Sequence, residues 1–340
     1  MKKQLLLIFI LLLTRFAGEA QDINFSQFYE TPMLRNPALA GIFVGDIRVT
    51  SAFRSQWQQV TTPYQTSALG VETKFSVSEY SNDFYSIGVQ VTNDVAGDSR
   101  MGKTQVLPSF TYHKFIREDN NLFLSAGFIG GLVQQRFDPS KLRMGDQFVN
   151  GAYSSANPTR QTFNNTNVTY WDLSAGMALS GQLTDQSKFY IGAAYSHFTQ
   201  PKVAFDKNRD VRLNRKITIN AGASIVTSEY DQVLLYADYF HQGGNNLLQG
   251  GFLYKHKLWE VDDDMGLAFG LGAFLRWNDA AMPVAKLDYM KWSLGYTYDV
   301  NISKLKTASQ LRGGSEITLS FKSFLNIRNT SAQKMSCPIL

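Results

Sequence analysis

Apolar and polar residues alternate with a period of two along most of the chain, most plainly in its second half. Ile217, Ile219, Ala221, Ala223 and Ile225 alternate with Lys216, Thr218, Asn220, Gly222 and Ser224, which places the apolar side chains on one face of a strand. The same rhythm runs through Trp171, Leu173, Ala175, Met177 and Leu179, through Leu267, Phe269, Leu271, Ala273, Leu275 and Trp277, and through Trp292, Leu294, Tyr296, Tyr298 and Val300. Strands are therefore predicted at 46–57, 64–76, 83–93, 104–116, 121–136, 167–181, 187–199, 214–228, 231–242, 246–258, 265–278, 282–289, 290–301 and 313–324. That is fourteen, with twelve as the alternative because the 289/290 junction is so tight.

A soluble sandwich and a membrane barrel both use such strands, and they differ in which face is wet. Sandwich strands run to about five or six residues, whereas these runs reach about nine to eleven, enough for a tilted strand to cross a bilayer. Tyr170, Trp171, Trp277 and Trp292 stand near run ends, where barrels carry aromatic girdles. The predicted fold is all-β: an antiparallel transmembrane β-barrel of about 14 strands. Connection lengths agree with it. If the first strand leaves the periplasm, the turns 77–82, 117–120, 182–186, 229–230, 259–264 and 289/290 are short, and the long connections 137–166 and 200–213 lie outside with 58–63, 94–103 and 302–312.

Ahead of the strands, residues 1–20 read as a secretory signal peptide: Lys2 and Lys3, an apolar run over 5–13, then Gly18 and Ala20. The next stretch, "NFSQFYETPMLRNPALAG" at 24–41, is neither amphipathic helix nor alternating strand. Asn36 before Pro37 and Ala38 suits a short helical turn with Asn as cap and Pro in the first position, ended by Gly41. Phe25, Phe28 and Tyr29 would be costly as an exposed cluster, so this segment is predicted to pack inside a barrel lumen, starting from the periplasmic side. Arg35 then needs an inward acid, and Asp172, Asp238 and Asp299 are the candidates. The domain plan is 1–20 signal peptide, 21–45 lumen segment, 46–324 barrel and 325–340 periplasmic tail.

Composition excludes more than it identifies. Without Lys2, Lys3, Arg15 and Glu19 the net charge of +5 becomes +3, too mild and scattered for nucleic acid. Cys337 is the only cysteine, which rules out an intrachain disulfide. His113, His197, His241 and His256 are far apart without metal-ligand spacing, and no nucleophile elbow, zinc-protease or phosphate-loop motif occurs. The Asp262, Asp263, Asp264 run reads as a charged turn. These residues call for no enzyme, cofactor or metal. Arg312, Gly314, Ile317 and Leu319 have the spacing of an insertion signal in a last barrel strand.

Ordered motifs then bring in a family. "DINFSQFYETPMLRNPALAG", "FRSQW" with Arg54 and Trp57, "TPYQT", "YSHFTQP" with His197 and Pro201, "FLRWNDA" with Arg276 and Asp279, "LGYTYDVNISKL" with Tyr298 and Asp299, "GGSEITLSF", and "SCPIL" with Cys337 and Pro338 together resemble the PorP/SprF family. These are outer-membrane proteins of the type IX secretion system of Bacteroidetes. The stretch Pro283 to Met290 is shorter than that family's usual form. The resemblance implies a FadL-like barrel in outer-membrane lipid and a role in secreting or retaining a large gliding adhesin. It further implies cargo at the extracellular loops 94–103, 137–166 and 200–213, and periplasmic type IX or gliding components at the tail. A FadL-like transporter of hydrophobic small molecules is the alternative.

Overall fold

The structure, a computed structural model, describes residues 22–324 except 59–61, 79, 150, 164, 185, 207, 263–264 and 305. The signal peptide assigned to 1–20 and the tail 325–340, with Cys337 and Pro338, lie outside the described residues. Fourteen antiparallel strands form one closed barrel. In chain order these are β1 (Ile47–Gln56), β2 (Tyr64–Ser78), β3 (Ser81–Ala96), β4 (Met101–Arg117) and β5 (Leu122–Arg136). A separate hairpin of β6 (Phe148–Val149) and β7 (Ala152–Tyr153) follows in the longest connection. The wall resumes with β8 (Asn167–Gln182), β9 (Lys188–Ser196), β10 (Lys216–Val226), β11 (Asp231–Gln242), β12 (Asn245–Asp262) and β13 (Met265–Arg276). It ends with β14 (Ala280–Tyr289), β15 (Trp292–Asn301) and β16 (Arg312–Ser323).

Neighbours in sequence are neighbours in the wall, and β1 pairs with β16 to close it, Ile47 opposite Ser323 and Gln56 opposite Gly314. A closed ladder leaves no unpaired edge, which a bilayer would penalise heavily. The 289/290 junction resolves into a turn at 290–291, where Met290 takes a φ of 54°. Fourteen strands therefore stand, and the short stretch after Pro283 is the second half of β14. The β14–β15 ladder passes from Ala281 opposite Val300 to Val284 opposite Thr297, because Pro283 has no N–H to give.

The period of two is realised with the apolar face outward. Ile217 and Ile219 of β10, Phe269 and Leu271 of β13, and Ile317 and Leu319 of β16 are exposed, while Thr218, Asn220, Glu316 and Thr318 beside them are buried. Exposed apolar side chains all round the wall suit hydrocarbon as the surrounding solvent. Long connections gather at one end of the barrel, which marks it as extracellular, and short turns at the other, periplasmic end.

Candidate functional site

Residues 22–46 run through the lumen. Three short turns fold the segment: Phe28–Glu30, Pro32–Arg35 and Pro37–Leu39. In the last, Asn36 is extended and its Oδ1 accepts from Ala38 N at 2.9 Å, so the Asn-cap and Pro-first reading describes the observed turn. Gly41 follows with a φ of 83°, and a Cβ there would lie 2.7 Å from Ser86 Cβ. The turn at Pro32 was not anticipated, although a Pro after Thr31 carries the same signal.

Several strand glycines have a single cause: the segment needs room. A Cβ on Gly176 of β8 would lie 1.9 Å from Asn36 Oδ1, and one on Gly127 of β5 would lie 2.6 Å from the Pro37 carbonyl carbon. Phe28 and Tyr29 pack against Tyr236 and Phe274, with Tyr29 stacked on Tyr236 at 4.8 Å and Phe28 edge-on to Phe274 at 5.6 Å. Phe25 is buried against Ala52 and Ala68. Ala38 and Pro37 are also buried.

Charged side chains of the wall hold the backbone and polar groups of the segment. Arg35 makes a two-pronged contact with Asp238, Nε to Oδ2 at 2.7 Å and Nη2 to Oδ1 at 2.5 Å, and Nη2 also donates to Tyr190 Oη at 2.9 Å. Asp238 is thus the acid chosen from the three candidates. Both Glu316 oxygens accept backbone N–H groups, from Ser26 and Gln27, at 2.7 Å each. Ser26 Oγ donates to Asp299 Oδ1 at 2.5 Å and accepts from Arg54 and, at 3.2 Å, from Arg276. Arg54 pairs with Asp299 at 2.6 Å, and Arg276 with Asp279 at 2.9 Å. Lower in the lumen, Glu72 accepts from Gly41 N and from Arg48, both at 2.6 Å.

The segment's direction differs from the periplasmic start assigned by sequence. It joins β1 at the periplasmic rim and climbs, so Asp22 lies near the extracellular end. There Asp22 meets Lys103 at 3.0 Å, His197 Nε2 at 2.9 Å and Lys216 at 3.5 Å. Burial opposes a charged carboxylate, but Lys103, His197 and Lys216 outweigh it and hold Asp22 well below its ordinary value. Burial likewise disfavours charged His197, yet Asp22 and Asp172, the latter 2.7 Å from Nδ1, push it up to about 9. Above this cluster opens a cavity of about 450 Å³, lined by Asp22, Asn24, Arg54, Tyr64, Asp94, Lys103, Lys216, Phe240, Arg276 and Asp279 among others. This vestibule faces the extracellular loops and is floored by the segment itself.

Of the residues singled out by sequence, Phe25, Phe28, Tyr29, Asn36, Pro37, Ala38, Gly41, Arg54, His197, Arg276, Asp279 and Asp299 belong to the segment or to the wall and vestibule around it. Three are placed otherwise. Tyr298, between inward Thr297 and Asp299, points outward; Trp57 follows β1 and stacks on Tyr64 of the vestibule lining at 6.3 Å; Pro201 lies in the loop after β9, accepting from Leu213 N at 3.0 Å. Sequence reasoning missed Glu72, Tyr190 and Glu316. An acid inside an otherwise polar strand face is a weak signal, and its partner lies far off in sequence. No group of three or more metal-ligating side chains occurs among the described residues.

The profile of the family described as "Type IX secretion system membrane protein PorP/SprF" matches residues 17–321. No curated protein matches. Among solved structures the chain is similar to the TodX monoaromatic hydrocarbon channel in a deltaS2S3 mutant (12% identity, 86% of this chain and 94% of that one, TM-score 0.47). It is also similar to a Pseudomonas aeruginosa FadL homologue (11%, 84% and 92%, TM-score 0.41). CdiB from Acinetobacter baumannii matches at 6% identity over 82% of this chain, which spans 60% of CdiB, with a TM-score of 0.39.

Proposed function

From the premise that the chain belongs to the PorP/SprF family of type IX secretion system membrane proteins, we propose that this outer-membrane barrel holds a secreted partner, such as a large gliding adhesin, at the cell surface. The observation that carries this reading is the filled lumen. A segment gripped by Glu316, Asp299, Asp238 and Glu72 leaves a vestibule that opens outward and ends on Asp22 and Asn24, a shape suited to holding a partner. The loops 94–103, 137–166 and 200–213 are the partner's platform, and the tail 325–340, with Cys337 and Pro338, docks periplasmic type IX or gliding components. The role is binding, without a chemical step.

A transporter of hydrophobic molecules would need an apolar lumen. The charged vestibule lining favours the first reading. Deletion is expected to abolish surface display of the co-encoded secreted protein while growth on fatty acids continues, measured by surface immunolabelling and growth curves. Normal display with failed hydrocarbon uptake would hand the case to transport. Removing 325–340 is expected to leave a heat-modifiable barrel that no longer co-purifies periplasmic partners.

A further inference from the structure

The two ends of the barrel carry opposite charge. The described residues of the extracellular connections 57–63, 97–100, 137–166, 197–215, 243–244, 277–279 and 302–311 hold ten lysines and arginines against six carboxylates, a net +4. The described residues of the periplasmic turns, at 80, 118–121, 183–184, 186–187, 227–230 and 290–291, hold one lysine against three carboxylates, a net −2. Resting on the reading above, we infer that the extracellular face docks an acidic segment of the secreted polypeptide, with one end of it entering the vestibule over Lys103 and Lys216.

Local pairing sharpens the charge argument. Lys202 and Arg212 share Asp210, and Arg209 meets Asp206, so that part of the excess is neutralised within its own loop. Arg215, Lys304 and Lys306 are exposed and make no ion pair among the described residues. They lie in the extracellular connections that precede β10 and β16, the first ending beside vestibule-lining Lys216 and the second meeting Asp279 through the backbone N–H groups of Ile302 and Ser303. A partner's carboxylates would meet cations there that have no ion-pair partner among the described residues, and attraction of that kind steers encounter as well as holding it.

Inside the vestibule the acids are engaged and the ammonium groups are not used up. Asp94 accepts from Thr66 at 2.6 Å and Asp279 pairs with Arg276 at 2.9 Å. Lys103 and Lys216 each direct one contact at Asp22, and an ammonium has three N–H donors. Asp22 itself shows that this pair accepts a carboxylate. The cavity size is that of a ligand site, and Phe240, Leu247 and Tyr64 give an entering side chain apolar wall. Both lysines face the lumen, beyond the reach of lipid headgroups in the surrounding leaflet, which favours a polypeptide over lipopolysaccharide.

The test uses the purified chain in detergent with a fluorescent oligoglutamate, an oligolysine of equal length and lipopolysaccharide vesicles. Oligoglutamate is expected to bind in preference to oligolysine, to weaken as salt rises, and to lose about tenfold in affinity in the R215E/K304E/K306E variant. Lys216→Gln is expected to lose less, reporting the end that enters the vestibule. Oligoglutamate binding that is unchanged by the triple reversal, or no tighter than oligolysine, overturns the inference. Vesicle binding without peptide binding overturns it too, by giving the face to lipid. Expressed in the deletion strain, the triple variant should display less of the secreted protein. Wild-type display by that variant removes this inference and leaves the secretion role standing, whereas normal display in the deletion strain itself removes the secretion role.

Discussion

The two faces of each strand obey different rules. On the outward face of β10 and β13, Ile217, Ile219, Phe269 and Leu271 turn about half their surface to the surrounding medium and make no specific polar contact, so any residue of similar apolar character serves. On the inward face, Asn220, Asp238 and Gly176 each meet one particular atom of the lumen segment or its supports, and few replacements would serve. The outer face is specified by solvent, the inner face by partners. This explains why alternation of residue class suffices to find the barrel but not the contacts within it.

The largest expected effect comes from breaking an inner pair. Arg35→Ala leaves Asp238 buried without its cation and should cost about 3–5 kcal/mol, read as a lower denaturant midpoint of the folded barrel. Joint replacement by R35M and D238L should recover part of that loss; no recovery would mean that the pair acts through Tyr190 or Phe28 instead. On the outer face, Leu271→Arg at mid-strand should cost about 2–4 kcal/mol in lipid, while Leu271→Ile should cost little. Sensitivity of Leu271 to that conservative change would contradict the solvent rule. Gly176→Val drives a side chain into Asn36 and should cost about 1–3 kcal/mol, with faster proteolysis of the lumen segment.

The smallest effect is a pH dependence. His197 is raised above its unfolded value, so its stabilisation is complete below the ordinary histidine value and fades as pH passes about 9. Asp22 is lowered, so its share is present above the ordinary carboxylate value and fades as pH falls through the depressed one. Protease access to residues near Asp22 should therefore rise at both extremes, and His197→Gln should flatten the alkaline arm.

Sequence carried the strand count, most strand limits and the sidedness of connections, because a period of two persists wherever one face is apolar. Beneath that level the signal thins. Asp238, Asp172 and Asp299 all face inward by parity, but parity says nothing about height along the axis or about which of β8, β11 and β15 a residue of the lumen segment reaches, and Arg35 reaches Asp238. Glu316 carries no mark beyond its place in the predicted strand 313–324, since its partners, Ser26 and Gln27, are about 290 residues away. The hairpin β6–β7 was hidden in a Ser- and Asn-rich loop without alternation to mark it. Direction of the lumen segment was illegible for the same reason as height: its aromatics ask for burial and state no preference for either end.

The seam between β1 and β16 joins the two ends of the wall, and Arg54 stands opposite Glu316 across it. Ser26 touches both, with Asp299 of the adjoining strand completing the grip. A slip of two residues at that seam would keep every side chain on its proper face, so alternation alone could not forbid it. It would, however, set Glu316 against Ala52 and strand Arg54. The N-terminal segment thus serves as a key cut for one register, and the last strand of the wall is held to it by the backbone of Ser26 and Gln27.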